Sequence, residues 1–442
     1  MKCLIIAAGK GTRLSSKGDS KPLIPLLGLA LIERVILTAN KAGLTDFYVV
    51  TGYNGEKVKR FLDGFSQNRD INITHITNEE WEKGNGISVL NAKKLLNENF
   101  ILLMGDHIFD ESILVRLTNE RIADDEVMLA VDYNIDIETN KLVDVDDVTK
   151  VLVEEGRILD IGKNIKKYNA YDTGIFLCSP AIFSAIEESL HDDDSSLSGG
   201  IRVLAGKGKA KIFDIKDEYW IDVDDEKTLK KAENTLLDTL KKASDGPISR
   251  YLNRPISTRI TKYLLRTDIT PNQVSFFSFI LAMLGAFLFF LGEYITLVIG
   301  AILAQVASVI DGCDGEIARL KFQVTEFGGW FDAVLDRYAD AFLLFGLTYY
   351  VCFTNCDFFT LFIGFLAIIG AFMNSYTADK YDGLMKRKLR PGKYYFRMGR
   401  DVRIFIIFLG ALINQPFLIL VTIAILTNAE NIRRIVVLYK NG

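Results

Sequence analysis

The sequence predicts an α/β domain followed by an all-α polytopic membrane domain of about six transmembrane helices. Three observations carry this. The 442 residues exceed what one hydrophobic core usually supports. Charge is divided, with residues 1–240 at about −11 and residues 241–442 at about +7, which together give the −4 of the whole chain. Short apolar runs alternate with helical periodicity in the first half, whereas apolar runs approaching the length of a bilayer crossing fill the second. No nucleic-acid partner is expected of this charge balance. Cys3, Cys178, Cys313, Cys352 and Cys356 are odd in number, scattered and without zinc-site spacing, as expected of reduced thiols facing a cytosol; Cys352 and Cys356 alone could pair on an outer loop. The chain starts on a buried-strand pattern too short for a secretory core, so no signal peptide is expected.

Residues 3–8 read as a buried parallel strand that feeds the turn Gly9-Lys-Gly-Thr-Arg-Leu14. Such a turn can wrap backbone N–H groups around phosphates, and it can equally serve packing alone. Helices are then expected over residues 32–42, 55–62 and 91–96, and strands over 46–51, 71–76 and 100–104. That alternation implies a parallel sheet with helices on both faces and a site at the carboxyl ends of its strands. Asp106 follows one strand directly, and Asp222 and Asp224 precede a helical run at 226–240. These carboxylates suit a divalent ion held against a triphosphate; helix capping is the competing role, and the favoured one for Asp225.

The segments Ala8-Gly-Lys-Gly-Thr-Arg-Leu14, Lys21-Pro22, Gly84-Asn-Gly-Ile-Ser88, Gly105-Asp106, Asp172-Thr-Gly174 and Trp220-Ile-Asp-Val-Asp224 occur in the order found in sugar-phosphate nucleotidyltransferases. Over residues 1–235 the chain resembles that family, which implies a Rossmann-like nucleotidyltransferase core. The resemblance implies attack of a substrate phosphate on the α-phosphate of a nucleoside triphosphate. In that scheme Gly9, Gly11, Thr12 and Arg13 hold the triphosphate, and Lys21 neutralises charge at the α-phosphate. Gly84, Asn85, Gly86 and Ser88 approach base and sugar, and Asp106, Asp222 and Asp224 bind the metal, Mg²⁺ or Mn²⁺. Lys163 is expected at the acceptor phosphate, with solvated surface as its alternative.

Asp245-Gly-Pro247 breaks a charged helix end, which places the expected domains at 1–240 and 269–442 around a linker and juxtamembrane helix at 241–268. Within that linker Arg250, Arg254, Arg259 and Lys262 alternate with Leu, Ile and Tyr, a pattern suited to the headgroup layer or to a solvated connector. Spans are expected near residues 274–291, 295–318, 329–353, 358–377, 404–412 and 416–427. Lys and Arg cluster before the first span, after the second, after the fourth and at the end, while the alternate loops have none. The chain is therefore expected to cross the cell membrane several times, with its N-terminal domain and C-terminus cytoplasmic.

Four aspartates break the apolar pattern. Asp311 and Asp314 are spaced i,i+3, and Asp332 and Asp336 i,i+4, so each pair shares a helix face. Carboxylates inside a membrane are costly and point to function, here to divalent metal bridging a diphosphate. The pattern Asp311-x-x-Asp314-Gly315-x-x-Ala318-Arg319 with Gly328-x-x-x-Asp332-x-x-x-Asp336 resembles the CDP-alcohol phosphotransferase family over residues 248–435. The resemblance implies transfer of a phosphoalcohol from a CDP-alcohol to an acceptor hydroxyl, with release of CMP. Asp311, Asp314 and Asp332 then ligate metal, and Asp336 is the general base and a further ligand. Gly315, Ala318 and Arg319 contact the nucleotide, as does Asn272, whose segment fits an N-cap equally well. Arg397, Arg400 and Arg403 suit either an acceptor phosphate or membrane anchoring.

The pairing of the two halves is similar to bifunctional enzymes that make CDP-inositol from CTP and inositol 1-phosphate and then join it to a second inositol phosphate. The competing expectations are a CDP-alcohol phospholipid head-group synthase and, further off, a nucleotide-regulated ion transport protein. The lipid-facing helices also suit a homodimer.

Overall fold

The computed structural model describes residues 1–67, 69–135, 147–241, 246–353, 356–388 and 399–441. The chain forms two compact units, Met1–Thr235 and Leu236–Gly442.

The first unit begins with β1 (Lys2–Ala7), two short 3-10 turns at Thr12–Leu14 and Lys21–Leu23, and a small ribbon of β2 (Pro25–Leu26) and β3 (Leu29–Ala30). Then come α1 (Leu31–Lys41), β4 (Asp46–Thr51), α2 (Gly55–Ser66), β5 (Asn72–Thr77), α3 (Asn85–Leu90), β6 (Phe100–Met104), β7 (His107–Phe109) and α4 (Glu111–Leu117). The rest is β8 (Val127–Asp132), β9 (Lys150–Glu154), β10 (Arg157–Gly162), β11 (Ala170–Cys178), α5 (Ala181–Ser189), α6 (Leu197–Gly206), β12 (Ala210–Asp214), β13 (Trp220–Asp222) and α7 (Glu226–Asp238).

Among the described residues the main sheet runs β5-β4-β1-β6-β11-β8-β12-β10-β9. Its first four strands are parallel, as the alternating pattern requires. From β11 onward the sheet is mixed, because β11 runs antiparallel to both β6 and β8. The fully parallel expectation fails at residues 150–162, where Glu155 (φ 46°) and Gly156 (φ 77°) turn β9 straight back into β10. A two-residue turn of that hand makes an antiparallel pair, whereas a parallel neighbour needs a helical crossover. The helix expected over residues 91–96 lies instead at Asn85–Leu90, with Gly84 as its extended N-cap (ψ 155°). Leu4, Leu102, Leu129 and Phe176 on neighbouring strands fill the core under the sheet.

The second unit starts with a π-type turn, Ser249–Asn253, that runs into α8 (Arg254–Leu264). α8 is fastened to the bundle by Glu316, which is 0 % exposed. Arg254 Nη1 donates to Glu316 at 2.7 Å, and the hydroxyls of Ser257 and Thr261 donate to it at 2.6 Å each. A buried carboxylate needs such partners, so Arg254 faces inward and is not an exposed basic residue.

Among the described residues six helices follow: α9 (Pro271–Phe289), α10 (Tyr294–Leu320), α11 (Glu326–Cys352), α12 (Phe358–Lys388), α13 (Arg400–Leu412) and α14 (Pro416–Asn441). Thr270 caps α9 by accepting from Gln273 N, so the N-cap expected there is present. Among the described residues four helices are long and apolar enough to cross a membrane, over Pro271–Phe289, Tyr294–Leu320, Phe358–Ala378 and Pro416–Lys440. α11 carries Glu326, Asp332, Asp336, Arg337 and Asp340 within its first 15 residues, and α13 has 13 residues, about 20 Å of helix against a hydrocarbon core of about 30 Å. Small residues let the helices approach: a Cβ on Gly285 of α9 would stand 2.6 Å from the carbonyl oxygen of Gly300 on α10. Cys3, Cys178 and Cys313 are buried, and all five cysteines are free.

Candidate active sites

A cavity of about 470 Å³ opens in the first unit where β1 and β6 end. Gly9, Gly11, Thr12, Arg13, Lys21, Asn85, Asp106, Lys163, Asp222 and Asp224 all line it, so the structure gathers ten residues expected there from distant segments. The glycine-rich turn is shaped for more than packing. Gly11 has φ 62°, and a Cβ there would lie 2.4 Å from the Lys21 Cβ, so glycine alone lets the lysine pass under the loop.

Lys21, whose side chain is 9 % exposed, donates to Asp106 Oδ2 at 2.6 Å and pairs with Asp224. Burial works to lower the Lys21 ammonium, but Asp106, Asp222 and Asp224 outweigh it and hold the group above the ordinary lysine range. Arg13 reaches Asp224 at 2.8 Å and Asp147 at 2.6 Å, and Lys163 meets the same Asp147 at 2.5 Å. Arg13 and Lys163, from distant segments, therefore converge on one carboxylate.

β7 and β13 pair antiparallel, with Asp222 opposite His107. This ribbon brings Asp222 beside Asp106, and one ligand atom from each of Asp106, His107 and Asp222 lies within 4.8 Å of the others. His107 Nδ1 is 2.9 Å from Asp106 Oδ1. Burial lowers the His107 imidazole, yet Asp222 and Asp106 raise it further, to about 9, so near neutral pH it is a protonated donor that orients Asp106. Burial first, then Asp106 and Asp224, push the Asp222 carboxyl up to about 6. Its Oδ1 is buried without a hydrogen-bond partner, and a hard divalent cation beside Asp106 and Asp222 fits that donor set. Asp224, the third expected ligand, pairs through its oxygens with Lys21 and Arg13 and stands outside the three-residue group.

Three expected nucleotide contacts are not brought to the cavity. Gly84 and Gly86 pack on the Ser195 carbonyl oxygen, 2.4 Å and 2.7 Å from where their Cβ atoms would stand. Ser88 is buried and accepts from Asn78 Nδ2 at 2.9 Å. Asn85 reaches the cavity, and its Oδ1 accepts from Leu197 N at 2.8 Å. Sequence reasoning missed His107 and Asp147 and gave no role to Asp172, a carboxylate at the cavity wall pushed up to about 6 by burial. Direct adjacency to Asp106 was the available signal for His107.

In the second unit one oxygen each from Asp311, Asp332 and Asp336 lies within 4.8 Å of the others, across α10 and α11. Asp314 accepts from the Ser275 hydroxyl, and Asp311 Oδ1 from the Ser278 hydroxyl at 3.1 Å. These two serines, one helical turn apart on α9, orient the first pair and were not singled out in the sequence. Asp311, Asp314, Gly315, Ala318 and Arg319 are all half-buried on α10, facing a common side. A Cβ on Gly315 would stand 3.2 Å from Arg319 Nη1, and one on Gly328 3.2 Å from Asn272 Oδ1, so both glycines keep room beside polar groups.

Arg400 enters this acidic group from α13. Its Nη1 is 2.9 Å from Asp311 Oδ2 and 2.6 Å from Asp336 Oδ1. Arg403 does not join it: it is 2 % exposed and paired with Asp340, so it is no open phosphate contact. Arg397 lies outside the described residues. An all-oxygen set of three carboxylates suits a divalent cation.

The family model for a MobA-like NTP transferase domain matches residues 3–194, and that for CDP-alcohol phosphatidyltransferase matches residues 268–429. A Rubrobacter xylanophilus protein named bifunctional IPC transferase and DIPP synthase is 36% identical over 98% of this chain and 95% of its own length. The protein of that name from Aquifex aeolicus is 34% identical over 99% of this chain and 98% of its own length. The solved inositol-1-phosphate CTP transferase from T. maritima is 27% identical, with a TM-score of 0.44, and covers 52% of this chain and 96% of that one. With both catalytic domains in one chain and relatives matched from end to end, this protein belongs to the family of bifunctional IPC transferases and DIPP synthases.

Proposed function

We infer that the first unit converts CTP and inositol 1-phosphate to CDP-inositol and pyrophosphate, and that the second transfers phosphoinositol from CDP-inositol to another inositol phosphate, releasing CMP. The observation that carries this is the presence, in one chain matched over 98% to a protein of that bifunctional name, of two acidic sites each with its own cation. The product of one reaction is the donor of the other, and a tether raises its local concentration.

In the nucleotidyltransferase half the acceptor phosphate, gripped by Lys163, attacks the α-phosphorus while Gly9, Gly11, Thr12 and Arg13 hold the triphosphate. Lys21 meets the charge that grows on the α-phosphate oxygens. No protein nucleophile is needed, so orientation and charge neutralisation supply the rate. Asp106 and Asp222, together with Asp224, would hold Mg²⁺, or Mn²⁺ in its place, which neutralises phosphate charge when bound.

In the membrane half Asp336 takes the proton from the acceptor hydroxyl as that oxygen attacks the β-phosphorus of the CDP-alcohol, and CMP departs. Asp311, Asp314 and Asp332, joined by Asp336 as a further ligand, would hold metal there, Asn272, Gly315, Ala318 and Arg319 would frame the nucleotide, and Arg400 would take the acceptor's phosphate. Domain limits of 1–240, 241–268 and 269–442 go with this reading, as do six spans, cytoplasmic termini, surrounding membrane lipid and a homodimer. Alternate basic loops and lipid-exposed apolar faces support them.

³¹P NMR of the purified protein with CTP, Mg²⁺ and a panel of alcohol phosphates tests the whole scheme. Pyrophosphate should appear with inositol 1-phosphate, followed by CMP and a phosphodiester that keeps a terminal phosphate. Turnover that requires an added lipid acceptor would instead place the membrane half in phospholipid synthesis.

A further inference from the structure

Asp340 lies one turn beyond Asp336 on α11 and is 3 % exposed, too deep to touch substrate. Two arginines of α13 meet on it. Arg400 Nε stands 3.2 Å from Asp340 Oδ1, and Arg403 pairs with Oδ2. Arg403 is braced in turn by α12, where the Ser375 hydroxyl lies 3.2 Å from its Nη2 and Asn374 Oδ1 3.5 Å from its Nη1. Asn374 is tied to α14, because Arg434 Nη1 donates to its carbonyl oxygen at 2.6 Å. The far end of this buried chain is the Nη1 of Arg400, held between Asp311 and Asp336.

A guanidinium is a planar fork, so fixing its Nε fixes the direction of both Nη groups. A buried ion pair kept for stability alone is a weak device, since well-packed apolar residues often do as well. We propose that Asp340, braced by Arg403, is a positioning residue that aims Arg400 at the acceptor's phosphate, a role that rests on the reading of Arg400 given above. Asp340 thereby sets the preference of the membrane half for a phosphorylated acceptor without touching it.

The test uses the full-length protein in nanodiscs, supplied with CDP-inositol and varied inositol 1-phosphate, with CMP release as readout. Losing the aim of a charge-assisted contact should raise the acceptor KM about 10- to 100-fold in Asp340→Asn and leave the donor KM within about twofold. Asp340→Glu, which keeps the carboxylate, should recover part of the loss. Combined with Arg400→Gln, Asp340→Asn should add nothing beyond Arg400→Gln alone, because residues acting as a unit are non-additive. Multiplying effects in the double variant would overturn the proposal. Asp340→Leu with Arg403→Met removes the buried charges together and guards against misfolding: the proposal expects a folded protein with a raised acceptor KM, and a wild-type acceptor KM overturns it. If Arg400→Gln leaves the acceptor KM unmoved, the phosphate reading of Arg400 fails, and the positioning claim still requires the double variant to match Arg400→Gln in CMP release.

Discussion

The two acidic sites solve the same electrostatic problem in opposite ways. In the soluble unit the carboxylates Asp106, Asp222 and Asp224 share a cavity with Lys21, Arg13 and a protonated His107; Lys21 and His107 contact Asp106, and Lys21 and Arg13 contact Asp224. In the membrane unit Asp311 and Asp336 share the guanidinium of Arg400, with Arg337 4.0 Å from Asp336, and the nearby Asp314 is held by a serine hydroxyl. The difference follows from the reactions. In the proposed reactions a triphosphate brings several charges that protein cations must meet, whereas a diphosphate donor would leave more of the work to divalent metal held by carboxylates.

That contrast is broken most sharply by removing one charge from each site. Asp336→Asn should cut CMP release by about a thousandfold or more, since general-base and ligand roles are both lost, and leave pyrophosphate release intact. Asp106→Asn should do the reverse. Next in size is Lys21→Ala, which should lower pyrophosphate release by about 10²- to 10³-fold, the usual scale for losing a group that stabilises transition-state charge. Initial rates with saturating CTP would read this.

Two further changes separate structure from chemistry. Glu316→Ala should destabilise the membrane half by about 3–5 kcal/mol by removing the buried carboxylate that accepts from Arg254, Ser257 and Thr261, seen as a lower unfolding temperature in detergent. Ser88→Ala should cost about 1 kcal/mol of soluble-domain stability through the lost Asn78 contact and leave the CTP KM unchanged. A raised CTP KM would return Ser88 to the nucleotide site.

Much of this was legible because period and spacing are local properties. The strand at Asp46–Thr51, the strand at Phe100–Met104 and the four membrane aspartates all announce themselves within a short window. The mixed half of the sheet was not, because its direction turns on the two-residue bend at Glu155 and Gly156. Partners distant in sequence were also hidden: Ser275 and Ser278 read as ordinary helix polar residues until α9 packs beside α10. Arg403 shows the converse. Its place in a basic cluster suggests phosphate binding, while its burial against Asp340 makes it a brace.

The central claim is that two separate sites act in series on one intermediate. Its most direct test mixes full-length Asp106→Asn and Asp336→Asn proteins, each shown to be folded, with CTP, inositol 1-phosphate and Mg²⁺. The account predicts that neither variant alone completes the sequence from CTP to CMP and that the mixture does, because CDP-inositol made by one molecule is consumed by the other. If either variant alone has lost both activities, or if the mixture stays inactive while each half-reaction proceeds on supplied substrates, the division of labour between the two sites is contradicted.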